Sequence, residues 1–472
     1  MAYLIDNLRN SGVLICPACG TGPLDAAETG IRCPHCGVLW PARNGVVDFY
    51  NRYLECGDGD QGEADARYHA FAAKLIRVLD LPDTPAMADR VGEIISRSLS
   101  LKSDNISVSA EINDLEDRFF GNDAAIIQPE PDAAANTSPQ IVFERHYFPA
   151  NAQPGTQLSA NIRLRNAGAF PLSSRTAHGI VLAGRWLAAG QPARAAGPSA
   201  RFPIDLVPGR SISLPVTVEI PDRPGPHVLR IGLAMDGGDE FVGDTLDIPV
   251  EARGGPRGIL RRLGAAFAPP RPSVAVELCP PNPSYGEDHA FGVDTLKTCL
   301  AELGKARYRL LEVGTGTHPQ TAWLENCEVV ALDISAPMLE LGSLYFGDRF
   351  AERLAFICAD AFAPPFKPGA FDVVVMFSAL HHFPEPEAVL QKLSALLAPG
   401  GVLAVMCEPV SNTLESACII RDLLKGINEQ VFSLDEYRLI FARAGLTPMR
   451  LRLAGASLVA LLSLAGPVHS AR

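Results

Sequence analysis

The stretch Leu310-Leu311-Glu312-Val313-Gly314-Thr315-Gly316-Thr317-His318-Pro319 decides the fold of the C-terminal third. Its first four residues read as a buried strand, and the glycines behind them break it. Gly314 and Gly316 let the backbone turn sharply and approach a ligand where a Cβ would clash. Pro319 suits the first turn of a following helix, where a missing N–H costs nothing. Nineteen residues after Gly314, a second strand ends at Leu332-Asp333. A carboxylate there can accept two hydrogen bonds from ribose hydroxyls. A dinucleotide fingerprint requires a third glycine where Pro319 stands, so a nucleoside without pyrophosphate is the better match.

Working outward, strands at Arg309–Val313, Val329–Leu332, Ala355–Cys358, Val373–Phe377 and Val402–Cys407 alternate with helical stretches from about residue 284. That alternation predicts a parallel α/β sheet. The third strand ends Cys358-Ala359-Asp360-Ala361-Phe362, where Asp360 can accept from an adenine amino group and Phe362 or Ile334 can cover the ring face. The fourth strand runs into Ser378-Ala379-Leu380-His381-His382-Phe383, and the fifth follows Leu397-Ala398-Pro399-Gly400-Gly401. Together these residues resemble class I S-adenosylmethionine-dependent methyltransferases, in the broad group acting on small molecules and sugars. The resemblance implies a Rossmann-like, seven-stranded domain over residues 284–472, with S-adenosylmethionine as its cofactor. It implies that Glu312, Gly314 and Gly316 line the methionine side and that Asp333 holds the ribose with Ile334 beside it. It further implies that Asp360, Ala361 and Phe362 hold the adenine and that Ser378 joins the cofactor pocket. The family often has a third glycine at the position of His318, whose side chain is expected to narrow the loop or reach the cofactor carboxylate.

Methyl transfer from a sulfonium requires an in-line nucleophile in a water-poor pocket. A hydroxyl nucleophile also requires a base. His381 and His382 follow the fourth strand, at the carboxyl edge where open α/β sheets bind ligands. Imidazole titrates near neutral pH, so either can take the proton; the alternative is that one caps a helix and the other packs. Glu408, after the fifth strand, is a further catalytic candidate, with a solvated carboxylate as the plain reading. Tyr285 and His289 precede the domain, where packing is favoured over a lid on the cofactor. The apolar runs Met449–Leu453 and Ser457–Leu464 are too short to span a bilayer and read as a final strand pair.

The N-terminal residues 1–56 carry Cys16-Pro17-Ala18-Cys19-Gly20 and Cys33-Pro34-His35-Cys36-Gly37. Four thiolates at this spacing suit tetrahedral Zn²⁺ in a closed, structural site. With eleven cysteines in all, the usage indicates a reducing, cytoplasmic setting rather than a disulfide framework. The segment resembles small zinc ribbons, including the small activator subunit of tRNA and protein methyltransferases, and its ending Gly45-Val46-Val47-Asp48-Phe49 fits them too. Residues 60–128 read as a helical segment, with helices expected at Ala66–Leu79, Pro85–Leu99 and Asp114–Phe120.

Residues 140–252 alternate apolar and polar in Gln140–Phe148, Gln157–Arg165, Ser211–Ile220 and His227–Leu233, broken by turn residues. An antiparallel β-sandwich follows. The run Ala177–Leu182 with Arg185-Trp186, then Leu206–Gly209, then Ile220-Pro221 and Pro224–Leu229 resembles the carbohydrate-binding sandwich of O-antigen ABC transporter ATPase subunits. That resemblance implies polysaccharide binding, with Trp186 either stacking on a sugar or filling the core, and Phe241 as a second aromatic of the same two readings. Residues 253–283 form a linker rich in Gly, Pro and Ala, with Arg253, Arg257, Arg261, Arg262 and Arg271. Its Ile259–Leu263 turn reads as a solvated tether before a weak peripheral contact with anionic lipid.

The architecture is therefore multidomain, α/β plus β, as 472 residues and about three domains would suggest. A net charge of −12 excludes a generally DNA-binding surface and disfavours RNA. No long apolar run indicates a membrane span, and the first residues lack the pattern of a secretory signal. Nothing in the sequence specifies an oligomer. The leading expectation is a methyltransferase acting on a glycan or related small-molecule acceptor in surface-polysaccharide biosynthesis. The alternatives are a tRNA or protein methyltransferase that recruits substrate through the ribbon, and a non-catalytic glycan-binding scaffold with a relic transferase domain.

Overall fold

The computed structural model describes residues 3–50, 75–77, 79, 81–100, 128, 130–188, 191–192, 199–238, 240–253 and 274–465. The chain forms two compact units. One comprises Met1–Asp123, Val274–Pro409 and Ile440–Arg472, and the other Ala124–Ser273 and Val410–Leu439.

The first unit begins with helix α1 (Tyr3–Asn10), the short strands β1 (Asp25–Ala27), β2 (Gly30–Arg32), β3 (Leu39–Arg43) and β4 (Val46–Asp48), and helix α2 (Pro85–Ser100). The expected helix at Ala66–Leu79 is described only at its end, where residues 75–77 are helical, and Asp114–Phe120 lies outside the described residues. Helix α2 matches its expectation. Its Val91, Ile94 and Ile95, together with Leu75, Ile76, Leu79 and Leu81, bury against Leu341.

The second unit holds β5 (Ile141–His146), β6 (Asn151–Ala152), β7 (Gln157–Asn166), β8 (Ile180–Ala188), β9 (Gln191–Pro192), β10 (Ser199–Arg201), β11 (Ser211–Glu219), β12 (Gly225–Met235) and β13 (Phe241–Ala252). One sheet runs β10-β8-β12-β13-β6 with β9 beside β8, and the other runs β11-β7-β5. Strand β11 shows the period-two logic of such a sheet, with Ile212, Leu214, Val216 and Val218 buried. In β7 the pattern fails, because Asn161 and Arg163 on its opposite face are buried as well.

The reason lies in residues 410–439, which the sequence reading placed in the C-terminal domain and which belong to this second unit instead. Glu436 accepts from the Asn161 backbone N–H at 2.7 Å. The Asn161 amide donates to the Val431 carbonyl at 2.8 Å, and Arg163 to the Asn428 amide oxygen at 3.0 Å. Ser213 and Arg145 converge on the Gln430 amide oxygen at 2.8 and 2.7 Å, and the Tyr147 ring meets Phe432 edge-on. Buried polar groups on the outer face of β7 thus find partners in a segment distant in sequence.

The chain continues with β14 (Val276–Cys279), α3 (Tyr285–Leu303), β15 (Tyr308–Val313), β16 (Cys327–Asp333), α4 (Ala336–Phe350), β17 (Leu354–Cys358), β18 (Phe371–Phe377), α5 (Pro386–Ser394), β19 (Leu397–Pro409), α6 (Ala417–Lys425), α7 (Leu434–Arg443), β20 (Leu446–Ala454) and β21 (Ser457–Leu464). Strands β15 to β19 pair in parallel. They are almost continuously buried, as strands covered on both faces must be. The final strand pair was expected, and β20 and β21 pair antiparallel.

The sheet order is β1-β2-β3-β4-β17-β16-β15-β18-β19-β21-β20-β14. Two departures from the sequence reading stand out. Val276–Cys279, assigned to the linker, is an edge strand that pairs with β20. The cysteine-bearing segment is not separate from the C-terminal sheet, because Val46, Val47 and Asp48 pair in parallel with Phe356, Ile357 and Cys358. Backbone bonds from Ile15 to Pro365 and from Lys367 to Val13, each 3.0 Å, add a second seam.

Strand β15 sits at the centre, with β16 and β17 on one side and β18 and β19 on the other. The crevice above its carboxyl end is therefore the switch point at which such sheets bind ligands.

Ile94 is fully buried against α4. Ile94→Ala is expected to lower unfolding free energy by about 2–5 kcal/mol. Chemical denaturation checks this, and a loss near zero would mean that α2 does not dock on α4.

Candidate active site

Behind β15, Gly314 and Gly316 take left-handed backbone at φ +73° and +53°. The Gly314 N–H donates to the Leu332 carbonyl at 2.8 Å, and the Gly316 N–H to Asp333 Oδ2 at 2.8 Å. A Cβ on Gly314 would stand 2.8 Å from the Cβ of Ala379. Only glycine lets this loop lie against the turn after β18.

Asp333 is half-buried at the end of β16, and its Oδ1 accepts from the Ser335 N–H at 2.9 Å. Each oxygen retains acceptor capacity for a diol. Burial pushes this carboxyl above its ordinary value, against the pull of the Ser335, Gly316 and Ile334 N–H groups. Ile334 is half-buried beside it.

On the neighbouring strand, Ala359 N–H bonds to the Asp333 carbonyl at 3.0 Å, which brings the next residue, Asp360, close to the end of β16. Asp360 is half-buried and accepts from the Phe362 N–H at 2.9 Å, over a buried Ala361. The Phe362 ring lies edge-on to Phe383.

Glu312 plays a different part. It is 2% exposed, and its carboxylate accepts from the Gln320 N–H at 2.8 Å, the Thr321 N–H at 2.9 Å and the Thr321 hydroxyl at 2.5 Å. Burial pushes it up to about 7 despite those donors. These bonds close a single 3-10 turn, Gln320–Trp323, where the sequence reading expected a helix. Glu312 therefore shapes the loop from behind. His318 turns its ring edge-on to Phe346 at 4.8 Å, so it packs on α4, where burial lowers its pKa.

The turn after β18 carries Ser378, His381 and His382, and β19 brings Glu408 beside it. The Ser378 N–H donates to the Met406 carbonyl and its hydroxyl to the Cys407 carbonyl, both at 2.9 Å. Glu408, with no exposure, accepts from the Ala379 and Leu380 N–H groups at 2.8 Å and from the His381 N–H at 3.1 Å. Its Oε2 also meets His381 Nδ1 at 2.8 Å. Burial raises the Glu408 carboxyl, but the charge and hydrogen bond of His381, with the Leu380 and Ala379 donors, outweigh it and hold the group below its ordinary value. An ionised carboxylate only accepts, so Nδ1 of His381 carries a proton. His382 is half-buried with its ring 4.1 Å from that of His381. The sequence reading named Glu408 but not its service to three consecutive N–H groups, which exists only once β18 and β19 pair.

In the N-terminal segment, the Cys16, Cys19, Cys33 and Cys36 sulfurs all lie within 4.8 Å of one another. Cys16 and Cys36 are 3.7 Å apart, and Cys19 and Cys33 3.6 Å. A tetrahedral site with metal–sulfur bonds of about 2.3 Å has edges of about 3.8 Å, so these four thiols fit such an ion.

Residues 311–405 match the methyltransferase domain family. Over that stretch the chain is similar to methyltransferases. It is 33% identical over 153 residues to a 27-O-demethylrifamycin SV methyltransferase of Amycolatopsis mediterranei, covering 30% of this chain and 56% of that protein. It is 38% identical over 111 residues to a demethylmenaquinone methyltransferase of Thermus thermophilus, covering 23% and 50%. The chain thus spans about half the length of these curated relatives. Among solved structures, it is similar to a Burkholderia thailandensis 1,6-didemethyltoxoflavin-N1-methyltransferase with bound S-adenosylhomocysteine, at 22% identity and a TM-score of 0.31, covering 38% of this chain and 79% of that one.

The site gives two expectations. Asp333→Ala removes the carboxyl that the sequence reading expects at the ribose, and S-adenosylmethionine affinity should fall about 10- to 100-fold by calorimetry. Unchanged affinity would show the ribose contact to lie elsewhere. Glu408, held below its unfolded value, contributes stability above pH 4.5 that is lost as pH falls through its folded value. The stability gap between the wild type and Glu408→Gln should therefore close toward acid pH in denaturation series. A gap constant with pH would rule out an ionised anchor.

Proposed function

We propose that this chain is an S-adenosylmethionine-dependent methyltransferase whose acceptor is a hydroxyl-bearing small molecule or glycan of surface-polysaccharide biosynthesis. The observation that carries the reading is the buried Glu408–His381 pair at the edge of the crevice, with its Nδ1 to carboxylate distance of 2.8 Å. When bound, S-adenosylmethionine supplies an electrophilic methyl group. The glycine loop offers its close backbone to the methionine end, Asp333 and Ile334 the ribose contacts, and Asp360, Ala361 and Phe362 the adenine contacts. Ser378 borders the cofactor from the β18 turn.

His381 would take the proton of the acceptor hydroxyl as its oxygen bonds the methyl carbon and the methyl–sulfur bond breaks, leaving the neutral thioether S-adenosylhomocysteine. Glu408 keeps Nδ1–H oriented and offsets the positive charge that the ring gains, as a carboxylate does for a catalytic imidazole. His382 flanks this base. The curated relatives, whose names give rifamycin and menaquinone precursors as acceptors, support the small-molecule class.

In the same reading, the sandwich engages glycan. Trp186 is half-buried, with its Nε1–H donating to the Glu219 carbonyl at 2.8 Å, which leaves its ring fixed in orientation. Phe241 is covered by the Arg185 guanidinium at 4.6 Å, so Trp186 is the better platform. The four cysteines hold a structural Zn²⁺, and the enzyme works in a reducing cytoplasm. Nucleic-acid acceptors are disfavoured by the net charge of −12.

The test is transfer of labelled methyl to a lipid-linked glycan extract, a quinone precursor and a tRNA pool. Label is expected in the glycan or the small molecule, and label in RNA alone would overturn the acceptor class. No heat and no thermal shift with S-adenosylmethionine would favour a scaffold. His381→Ala should lower transfer about 10²- to 10⁴-fold with cofactor affinity retained. Elemental analysis should find zinc in wild type and not in Cys33→Ser. Chelation should remove about 10 kcal/mol or more of binding free energy from the N-terminal segment, read as local loss of hydrogen-exchange protection.

A further inference from the structure

Two residues other than glycine hold left-handed backbone at the carboxyl edge, Ser378 at φ +44° and Cys407 at φ +59°. Ser378 directly follows β18 and Cys407 lies within β19, next to Glu408. Side chains with a Cβ resist this conformation, and it persists only where neighbours over-determine it. Those neighbours can be named. The Ser378 N–H is held by the Met406 carbonyl, and its hydroxyl proton is given to the Cys407 carbonyl. Its oxygen then has only acceptor capacity left, and His289 Nε2 stands 3.2 Å away. That fixes Nε2 of His289 as the donor.

His289 comes from the first turn of α3, which is bolted down around it. Asn282 and Ser457 both donate to the Asp288 carboxylate, at 2.8 and 2.5 Å, and the Cys407 thiol donates to the Asp288 carbonyl at 3.2 Å. One turn on, a Cβ at Gly292 would lie 2.9 Å from the Phe377 ring and 3.1 Å from the Cys407 sulfur. A glycine there lets α3 settle onto the strand ends. The imidazole itself is 7% exposed, with the Tyr285 ring at 4.1 Å and the Phe377 ring at 5.6 Å.

We infer that His289 is a positioning residue that holds Ser378 in its left-handed state and thereby sets the turn carrying His381. The next residue after Ser378 is Ala379, whose N–H binds Glu408 and whose Cβ faces Gly314. A shift at Ser378 therefore moves both the base and the cofactor loop. This inference rests on the reading of His381 as the base, but its test needs no acceptor.

The readout is the low-field proton resonance of His381 Nδ1–H against Glu408 in the full-length protein, with calorimetric affinity for S-adenosylmethionine beside it. His289→Phe fills the ring space without a donor, and should shift or broaden that resonance and weaken cofactor binding several-fold. His289→Gln supplies an N–H donor and should restore both toward wild type. In a Ser378→Gly background, where left-handed backbone needs no support, His289→Phe should add little, so the pair is non-additive. If the phenylalanine variant keeps the resonance and the affinity, or restores more than glutamine does, His289 is a packing residue and the inference fails. A responsive resonance in a protein that methylates none of the acceptors would instead sink the functional reading and leave this one standing.

Discussion

Glu408 lies wholly inside the first unit and collects three consecutive backbone N–H groups and an imidazole N–H from a single turn. A buried carboxylate left without partners would be severely destabilising, so these donors are a condition of burying it at all. The same condition dictates the path of residues 379–381, because three successive N–H groups can meet one carboxylate only if the backbone curls around it. The position of the His381 ring is a by-product of that curl. Strand β19 delivers the carboxylate and β18 delivers the turn, so the parallel pairing of these two strands is what assembles the site.

The glycine loop depends on the turn in its own way. Gly314 faces Ala379 so closely that any side chain would force the two apart. Glu312 braces the loop from the opposite side through the N–H groups of Gln320 and Thr321. The two glutamates are alike in burial and in their use of backbone donors, and differ in what they organise. One shapes the glycine loop and the other the turn that carries His381.

Elsewhere the structure joins segments far apart in the chain. Strand β4 extends the parallel sheet through β17. Asn44 bonds to the fully buried Glu340 at 2.6 Å, and Arg90 to Asn44 at 3.2 Å, so the cysteine-bearing segment, α2 and α4 share one polar chain. In the second unit, Glu436 and Asn161 satisfy each other inside the protein, with burial pushing the Glu436 carboxyl up against the donors of Asn161 and Ser433. The segment that carries Glu436 begins at Val410, just past the last residue of this stretch of the first unit, and belongs with the sandwich strands.

Local pattern made much of this legible. A strand followed by Gly314 and Gly316, acids at 333 and 360, histidines at 381 and 382, and paired cysteines at 16, 19, 33 and 36 are short-range signals, and each is set by strand periodicity or turn chemistry. The helix at Pro85–Ser100 and the final strand pair were likewise readable from apolar spacing. What the sequence could not disclose were pairings across long separations. Val276–Cys279 is four residues with ordinary propensity, and only β20 makes it a strand. Val46–Asp48 finds β17 some three hundred residues away, and Glu408 looks like a solvated carboxylate until β18 brings it four donors. Residues 410–439, read from sequence as part of the C-terminal domain, belong instead with the strands whose buried Asn161 and Arg163 they partner. The chain by itself determined which residues lie at strand ends, since backbone periodicity is local. Tertiary structure alone decided which buried charges are paired, since that depends on burial and hydrogen-bond partners supplied by distant strands.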